Sequence, residues 1–160
     1  MIRRSFILGA AGAATLSVPA RAADTLSGKY LGNGKEAKMA FVSAWTREPF
    51  SGKDAITIVM TEKDHSASKR PDWDADFGKF GSALTISVHR VDGRVFGCQV
   101  AHDALKRKPV SVLGKIKTVD FKITGDRVEG RVTSGGPDKM FDETYEVDLV
   151  FAADIRKKAG

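Results

Sequence analysis

The alternation of apolar and polar positions is most regular between residues 82 and 102, where two runs of period two flank Asp92-Gly93. This alternation predicts two half-buried strands joined in a hairpin. A two-residue Asp-Gly loop would set the apolar positions of one strand on the same face as the polar positions of the other. A three-residue loop, Val91-Asp92-Gly93 with Gly93 left-handed, keeps the apolar positions together. We therefore predict a hairpin that pairs Val88 with Phe96, Ile86 with Cys98 and Leu84 with Val100.

A second hairpin is predicted around Gly125-Asp126, because a two-residue turn there satisfies two patterns at once. On the inner face, this register pairs Val119 with Val132, Phe121 with Gly130 and Ile123 with Val128, and it lets Phe121 cover Gly130. On the outer face, it sets two pairs of opposite charges across the ladder, each worth about 0.2 to 1 kcal/mol. These pairs are Asp120 with Arg131 and Lys122 with Glu129.

The same patterns give the remaining strands and the fold class. Apolar runs predict strands at residues 26–31, 38–46, 55–60, 110–116 and 145–151, with a tight turn at Asn33-Gly34. The last of these strands directs Tyr145, Val147, Leu149 and Phe151 inward. We predict an all-β domain, an antiparallel β-sandwich or flattened barrel of eight to nine strands with one short helix.

Residues 62–81 form the longest stretch without strand periodicity. Pro71 suits the first position of a helix, and Asp72 and Asp74 would lie near the positive end of its dipole. Trp73, Phe77 and Phe80 then fall on one helical stripe. We predict a short helix whose aromatic residues close one end of the β core.

Residues 1–22 are predicted to be a cleaved signal peptide, which leaves residues 23–160 as a single β domain. Arg3 and Arg4 precede an apolar run that is too short to span a bilayer, and Ala20 and Ala22 are the small residues that an export peptidase reads. The arginine pair resembles the twin-arginine export signature, although Ile2 stands where that signature usually has a small polar residue. Ordinary unfolded export and a retained N-terminal anchor stay open as alternatives. The protein is expected to be bacterial and periplasmic or secreted.

The charge of the chain changes with that processing. The full sequence has 26 basic and 20 acidic residues, a net charge of +6, and removal of three arginines with the signal leaves +3. This weak balance gives little support to nucleic-acid binding. We expect no nucleic-acid partner and no transmembrane segment in the mature chain. The terminal Arg156-Lys157-Lys158 is expected to be a solvated tail.

Three stretches resemble a known group of proteins. They are Gly28 to Val42, Phe80 to Ala104 and Gly130 to Phe151, which together cover most of the chain after the signal. In these stretches the sequence resembles exported bacterial all-β domains of uncharacterised function. The resemblance implies export and an all-β domain, and it carries no catalytic residues.

The residue types that bind metals are present but separated. Cys98 is the only cysteine, so no internal disulfide can form, and the predicted register turns it inward. His89 would project from the opposite face, and His102 lies too far along the strand to share a zinc ion with Cys98. We expect the histidines at the surface or at strand ends, and we expect no metal and no cofactor.

Two further candidate motifs are incomplete. Asp72, Asp74 and Asp76 have the spacing of the start of a calcium loop, but Gly78 falls one place late and Ala83 stands where a glutamate is needed. The sequence also lacks the Gly-x-Ser-x-Gly elbow of a serine hydrolase. No catalytic residue is assigned.

The sequence favours an exported, non-enzymatic binding or interaction domain whose partner is a protein, a polymer or a small ligand. Its contact surface would include residues 64–80, the one long excursion from the β scaffold. The candidate binding residues are Asp64, His65, Trp73, Asp74 and Phe77. Two alternatives stay open: a small periplasmic hydrolase or metal-assisted enzyme using His65 and Asp74, and a barrel carrying an apolar ligand in an interior cavity.

Overall fold

The computed structural model describes residues 20–158, which form eleven strands and one short helix. The arginine pair Arg3 and Arg4 of the predicted export signal lies outside these residues. The strands are β1 (Thr25–Gly32), β2 (Lys35–Glu36), β3 (Phe41–Phe50), β4 (Lys53–Thr61), β5 (Ala83–His89), β6 (Val95–Ala101), β7 (Val110–Ser111), β8 (Lys117–Thr124), β9 (Arg127–Thr133), β10 (Asp138–Met140) and β11 (Glu143–Arg156), and the helix is α1 (Pro71–Asp76).

The strands form one curled sheet with the order β2-β1-β11-β3-β4-β5-β6-β7, and β9 and β10 also pair with β11, with β8 outside β9. The all-β prediction is confirmed, and the sheet is a half-barrel. The strand count and the purely antiparallel arrangement were wrong. Ile155 and Arg156 of β11 pair in parallel with Ala44 and Trp45 of β3. The count was too low because β2 and β10 have only two and three residues, too few to show a period.

The long strand β11 holds the two parts of the sheet together. Its residues alternate between buried and less buried positions, and Tyr145, Val147, Leu149 and Phe151 point inward as predicted. Its first part pairs with β1 on one edge, and β9 pairs along the other edge. On the outer face, Asp148 accepts two hydrogen bonds from the Arg131 guanidinium, at 2.6 and 2.8 Å.

The concave face of the half-barrel is filled by side chains. Twenty-four buried residues from both parts of the sheet form one apolar cluster, in which Tyr30, Tyr145 and Phe151 are the largest fully buried members. The Tyr30 hydroxyl donates a hydrogen bond of 3.0 Å to the Ala83 carbonyl, which links β1 to β5 across the interior. Phe41 of β3, which is 39% exposed, does not belong to this cluster.

The first hairpin has the predicted register over most of its length. Leu84 pairs with Val100 and Ile86 with Cys98, but Val88 pairs with Val95 and not with Phe96. A bulge at Phe96 shifts the ladder by one residue, and the loop runs from Arg90 to Gly93, one residue longer than predicted. Gly93 has the predicted positive φ, +71°.

The bulge changes the direction of one aromatic side chain. Phe96 turns away from the core and stacks on Phe50, with ring centroids 4.3 Å apart and planes nearly parallel. His89, on the same outer face, packs against Phe96 at 4.8 Å. The alternation of apolar residues predicted that Phe96 points inward. The sequence itself shows no sign of the extra residue that the bulge inserts.

The second hairpin has the predicted register only near its turn. Ile123 pairs with Val128 and Lys122 with Glu129, but a bulge then sets Val119 opposite Arg131. Asp120 takes a positive φ of +52° in this bulge. The predicted pairs Val119 with Val132 and Asp120 with Arg131 were therefore wrong, and Phe121 lies within the bulge beside Gly130 and not in a regular pair with it. Gly130 lies opposite Phe151 of β11, whose ring covers it.

Two predictions about the later part of the chain also need correction. The strand expected at residues 110–116 ends at Ser111, and Leu113 is exposed in the turn that follows. The terminal Arg156-Lys157-Lys158 is exposed as expected, but it is attached to the sheet, since Arg156 belongs to β11 and donates a hydrogen bond to Asp24. The backbone N–H of Lys158 donates to the Thr46 hydroxyl at 3.3 Å.

The helix α1 begins at Pro71, as predicted, but its aromatic residues do not close the core. Trp73 and Phe77 are 55% and 61% exposed and pack against each other. The helix instead buries Ala75 on the outer face of the sheet, in a small cluster with Val59, Ala83 and Ala101, which Phe80 also contacts. Among the residues that the structure describes, no helix is long and apolar enough to cross a membrane.

Candidate functional site

The outer face of β3, β4 and β5 carries polar side chains where α1 and the preceding loop only partly cover it. Alternation in the strands directs Thr57 of β4 and Thr85 and Ser87 of β5 to this face, opposite the apolar core positions. All three are nearly buried. The sheet therefore presents a floor of hydroxyl groups under the loop and helix that cross it.

A cleft with a volume of about 600 Å³ opens between this face and the loop before α1. We call it the outer cleft. Trp45, Arg47 and Thr57 line it on the sheet side, and Arg70 and Pro71 line it on the loop side. The indole of Trp45 is held in place by a hydrogen bond of 2.9 Å from its Nε1 to the Ser43 hydroxyl. The volume is within the range of small-molecule sites.

The charges around the outer cleft are mostly positive. Among the described residues that line it, the cationic side chains are Arg47, Lys69, Arg70 and Lys158, and the acidic side chain is Asp72. Lys158 lies 3.5 Å from the Asp72 carboxylate and offsets part of its charge. The cleft therefore favours an anionic ligand.

The position of Arg47 is set by two contacts. Its Nη1 donates a short hydrogen bond of 2.5 Å to the Ser87 hydroxyl, and its guanidinium lies over the Phe96 ring at 5.2 Å. The bulge that turns Phe96 outward thus provides the surface on which Arg47 rests. A guanidinium held in this way retains further N–H donors for a carboxylate, sulfonate or phosphate group.

A second depression of about 250 Å³ continues from the outer cleft beneath α1. We call it the inner recess. It shares Arg47, Thr57 and Asp72 with the outer cleft, and it adds Asp76 of α1 and Thr85 of β5. The two depressions therefore adjoin each other on the outer face of the sheet, and together we call them the groove.

Two oxygen atoms in the inner recess are buried without a hydrogen-bond partner, Oδ1 of Asp76 and Oγ1 of Thr85. Burial and the nearby Asp72 carboxylate raise the pKa of Asp76 to about 6. The Thr85 hydroxyl lies close enough to oppose that rise in pKa, although the two groups do not have hydrogen-bond geometry. Unpartnered buried polar atoms are costly, so this pair calls for an explanation.

His65 is part of a buried chain of hydrogen bonds that attaches the loop to the sheet. The Thr61 hydroxyl donates to the Lys63 carbonyl at 2.7 Å, so it can only accept from Nδ1–H of His65, which lies 2.6 Å away. Nε2 of His65 must then accept from the Ser43 hydroxyl at 2.7 Å. The ring is neutral in this arrangement, and burial lowers the pKa of His65.

The five predicted binding residues are divided among several environments. His65 is in the buried chain just described, and Trp73 borders the inner recess with its ring exposed. Asp64 accepts a hydrogen bond from the backbone N–H of Ser66. Asp74 accepts hydrogen bonds from Ser68 and Lys79 and stabilises the loop, and Phe77 packs on Trp73.

The three histidines are all buried and not at the surface, although His89 ends β5 and His102 directly follows β6, as the expectation of strand-end positions allowed. His89 and His65 lie on the outer side of the sheet, and the His102 ring packs edge-on against Tyr30 at 4.9 Å. Cys98 is in the core as predicted, and burial raises the pKa of its thiol to about 12. Within residues 20–158, no group of three or more histidine, cysteine or acidic side chains is placed to hold a metal ion.

The sequence patterns missed most residues of the groove, including Trp45, Arg47, Asp76 and Thr85. The sequence did contain one indication of this polar face. Thr57 interrupts an otherwise apolar strand, and Thr85 and Ser87 are polar positions in the next predicted strand. Hydroxyl groups on the second face of a central strand indicate that this face is covered but polar. Arg47 and Trp45 could not be assigned without knowing which loop lies above them.

The fold and the groove together define a class of protein, an all-β half-barrel with a cleft of ligand-binding size on its outer face. Comparison with protein-family models, with functionally described proteins and with solved structures gave no match for this chain.

Proposed function

We propose that the protein is an exported, non-enzymatic binding domain that holds a small organic anion in the outer cleft. The observation that carries the proposal is the cleft itself, about 600 Å³ between Trp45 and the loop at Arg70. Its apolar wall suits the body of an aromatic or aliphatic ligand, and its surplus of cationic side chains suits a carboxylate, sulfonate or phosphate group. The sequence led us to expect a contact surface on residues 64–80. The proposed site combines part of that segment with residues of β3 and β4.

The two alternative functions have less support. An enzyme using His65 and Asp74 would need these side chains to act together, whereas His65 is bonded to two hydroxyl groups and Asp74 to Ser68 and Lys79. Ser43, which donates to His65, is only 2% exposed. A ligand inside the sheet would have to displace the core side chains that fill the concave face.

The proposal predicts that the purified protein binds 2-naphthalenesulfonate, an aromatic body with one anionic group, at a single site. Arg47→Gln should weaken this binding about tenfold, equivalent to about 1.4 kcal/mol, because a charge-assisted hydrogen bond is lost. Trp45→Ala should weaken it further by removing the apolar wall. Isothermal titration calorimetry measures both effects.

Lys122→Gln is the matched control, because Lys122 pairs with Glu129 on β9 and lies away from the cleft. Its affinity for the probe should equal that of the unchanged protein. Absence of binding at millimolar probe, or equal losses in Arg47→Gln and Lys122→Gln, would reject the outer cleft as a binding site.

A further inference from the structure

The inner recess contains two polar atoms whose hydrogen-bonding capacity is unused. Thr85 is 7% exposed, and its Oγ1 has no partner in the structure. Oδ1 of Asp76 is also buried and unpartnered, and both residues line the same recess. Thr85 lies close enough to Asp76 to limit the rise in the pKa of that carboxyl, but the two atoms lack good hydrogen-bond geometry, so a polar group of a ligand placed between them would be stabilised by both.

The chemistry of these two atoms selects the type of group. A carboxylate oxygen only accepts a hydrogen bond, whereas a threonine hydroxyl can donate one. A single hydroxyl group can donate to Asp76 and accept from Thr85, so it satisfies both atoms. An ammonium group can only donate, and it would share the recess with the Arg47 guanidinium.

The position of the recess connects this group to the ligand of the outer cleft. Arg47, Thr57 and Asp72 line both depressions, so one molecule can extend from one into the other. We propose that the inner recess binds a hydroxyl group on the same ligand, with Asp76 as the acceptor and Thr85 as the donor. The ligand is then a hydroxylated organic anion, and this inference rests on the proposed function.

The test compares two probes that differ in one hydroxyl group, 2-naphthalenesulfonate and 6-hydroxy-2-naphthalenesulfonate. The unchanged protein should bind the hydroxylated probe about tenfold more tightly, because that probe satisfies two atoms that the other leaves unpaired. Thr85→Val and Asp76→Ala should each reduce this ratio toward one, and the ratio is the readout because Asp76→Ala also removes a negative charge that affects the sulfonate of both probes alike. Calorimetric titration of each variant with both probes gives the ratio.

The comparison of the two probes within each variant controls for loss of folding, since a misfolded protein would lose its affinity for both probes. Thr124→Val is a matched control, because Thr124 is an exposed residue at the end of β8, and its ratio should equal that of the unchanged protein. Binding of both probes with equal affinity would overturn the recess proposal and leave the outer cleft intact. Failure of both probes to bind would overturn the proposed function and this inference with it.

Discussion

At His65, the directions of the hydrogen bonds determine the protonation state of the ring. Nδ1 donates to Thr61 and Nε2 accepts from Ser43, so the folded protein holds a neutral imidazole. A proton added at Nε2 would remove the acceptor that the Ser43 hydroxyl uses. Burial acts in the same direction and lowers the pKa of His65 below its usual value of 6.5.

This arrangement gives a prediction for stability against pH. The folded pKa of His65 is lower than the unfolded one, so the unfolded state takes up a proton first as the pH falls. The stabilising contribution of the neutral ring is present above pH 6.5 and is lost as the pH falls from there toward the folded pKa. The stability advantage of the unchanged protein over His65→Asn should shrink between pH 7.5 and pH 5.

Urea unfolding of the two proteins across that pH range measures this advantage. The comparison isolates His65, because Asp76, whose raised pKa has the opposite effect on stability, and His102 are present in both proteins. A constant difference between the two proteins from pH 7.5 to pH 5 would show that His65 is not held neutral.

Among the strands, the two hairpins show how a bulge is used to reach a neighbouring element. The bulge in β8 includes Phe121, and the ring of Phe121 lies directly over Gly93 in the turn after β5. The Thr118 hydroxyl also donates to the Gly93 carbonyl at 2.7 Å. The turn of the first hairpin is therefore a contact point between the two parts of the sheet.

Replacement of Gly93 by alanine should destabilise the protein for two reasons. Its φ of +71° is unfavourable for a residue with a side chain, at a cost of about 1 to 2 kcal/mol, and a Cβ there would overlap the Phe121 ring. We expect a total loss of about 2 to 4 kcal/mol in the free energy of unfolding. Chemical denaturation gives this value.

Gly52→Ala separates the two causes. Gly52 has nearly the same φ, +72°, but a Cβ added there would meet nothing within 4 Å. This variant should lose only the conformational part, about 1 to 2 kcal/mol. If Gly52→Ala and Gly93→Ala are destabilised equally, the contact with Phe121 contributes nothing to stability.

For the strands, the sequence predicted the pairing close to each turn well, but it did not predict the β-bulges that interrupt the pairing. The turn at Gly125-Asp126 and the first pairs beyond it follow from residues close in sequence, and so do the inward positions of β11. The bulges do not follow from the local sequence, because the extra residue is favoured by contacts with other elements. In the first hairpin, these are the contacts of Phe96 with Phe50 and Arg47. Such contacts have no signature in a single strand.

For the whole molecule, the groove depends on elements that are far apart in the chain. Its floor comes from β3 to β6, its far wall from residues 68–76, and one of its cations from Lys158. The sequence predicted that residues 64–80 lie over a β scaffold, and it could not show which strand face they cover. The charge of the groove likewise appears only when Arg47, Arg70 and Lys158 are brought together.

Export is a prediction about the whole chain and can be tested at its N-terminus. In a bacterial host with a twin-arginine pathway, replacing Arg3 and Arg4 together by lysine should retain the full-length precursor inside the cell, because that pathway requires the arginines themselves. The unchanged protein should be recovered outside the inner membrane with residues 1–22 removed. Mass spectrometry of both fractions measures processing, and Arg94→Lys is the control substitution.

Normal processing of the double lysine variant would instead indicate the general secretion route, which responds to positive charge. Recovery of the full-length unchanged protein in the membrane fraction would indicate a retained anchor.

The late position of β11 in the chain has a consequence for synthesis on the ribosome. Strands β1, β3 and β9 are all made before it, yet each has β11 as a neighbour in the sheet. Thr25 and its partner Ala152 are 152 − 25 = 127 positions apart in the chain, so the edge of β1 stays unpaired until β11 has been synthesised. The nascent protein is therefore exposed to aggregation or chaperone binding for most of its translation.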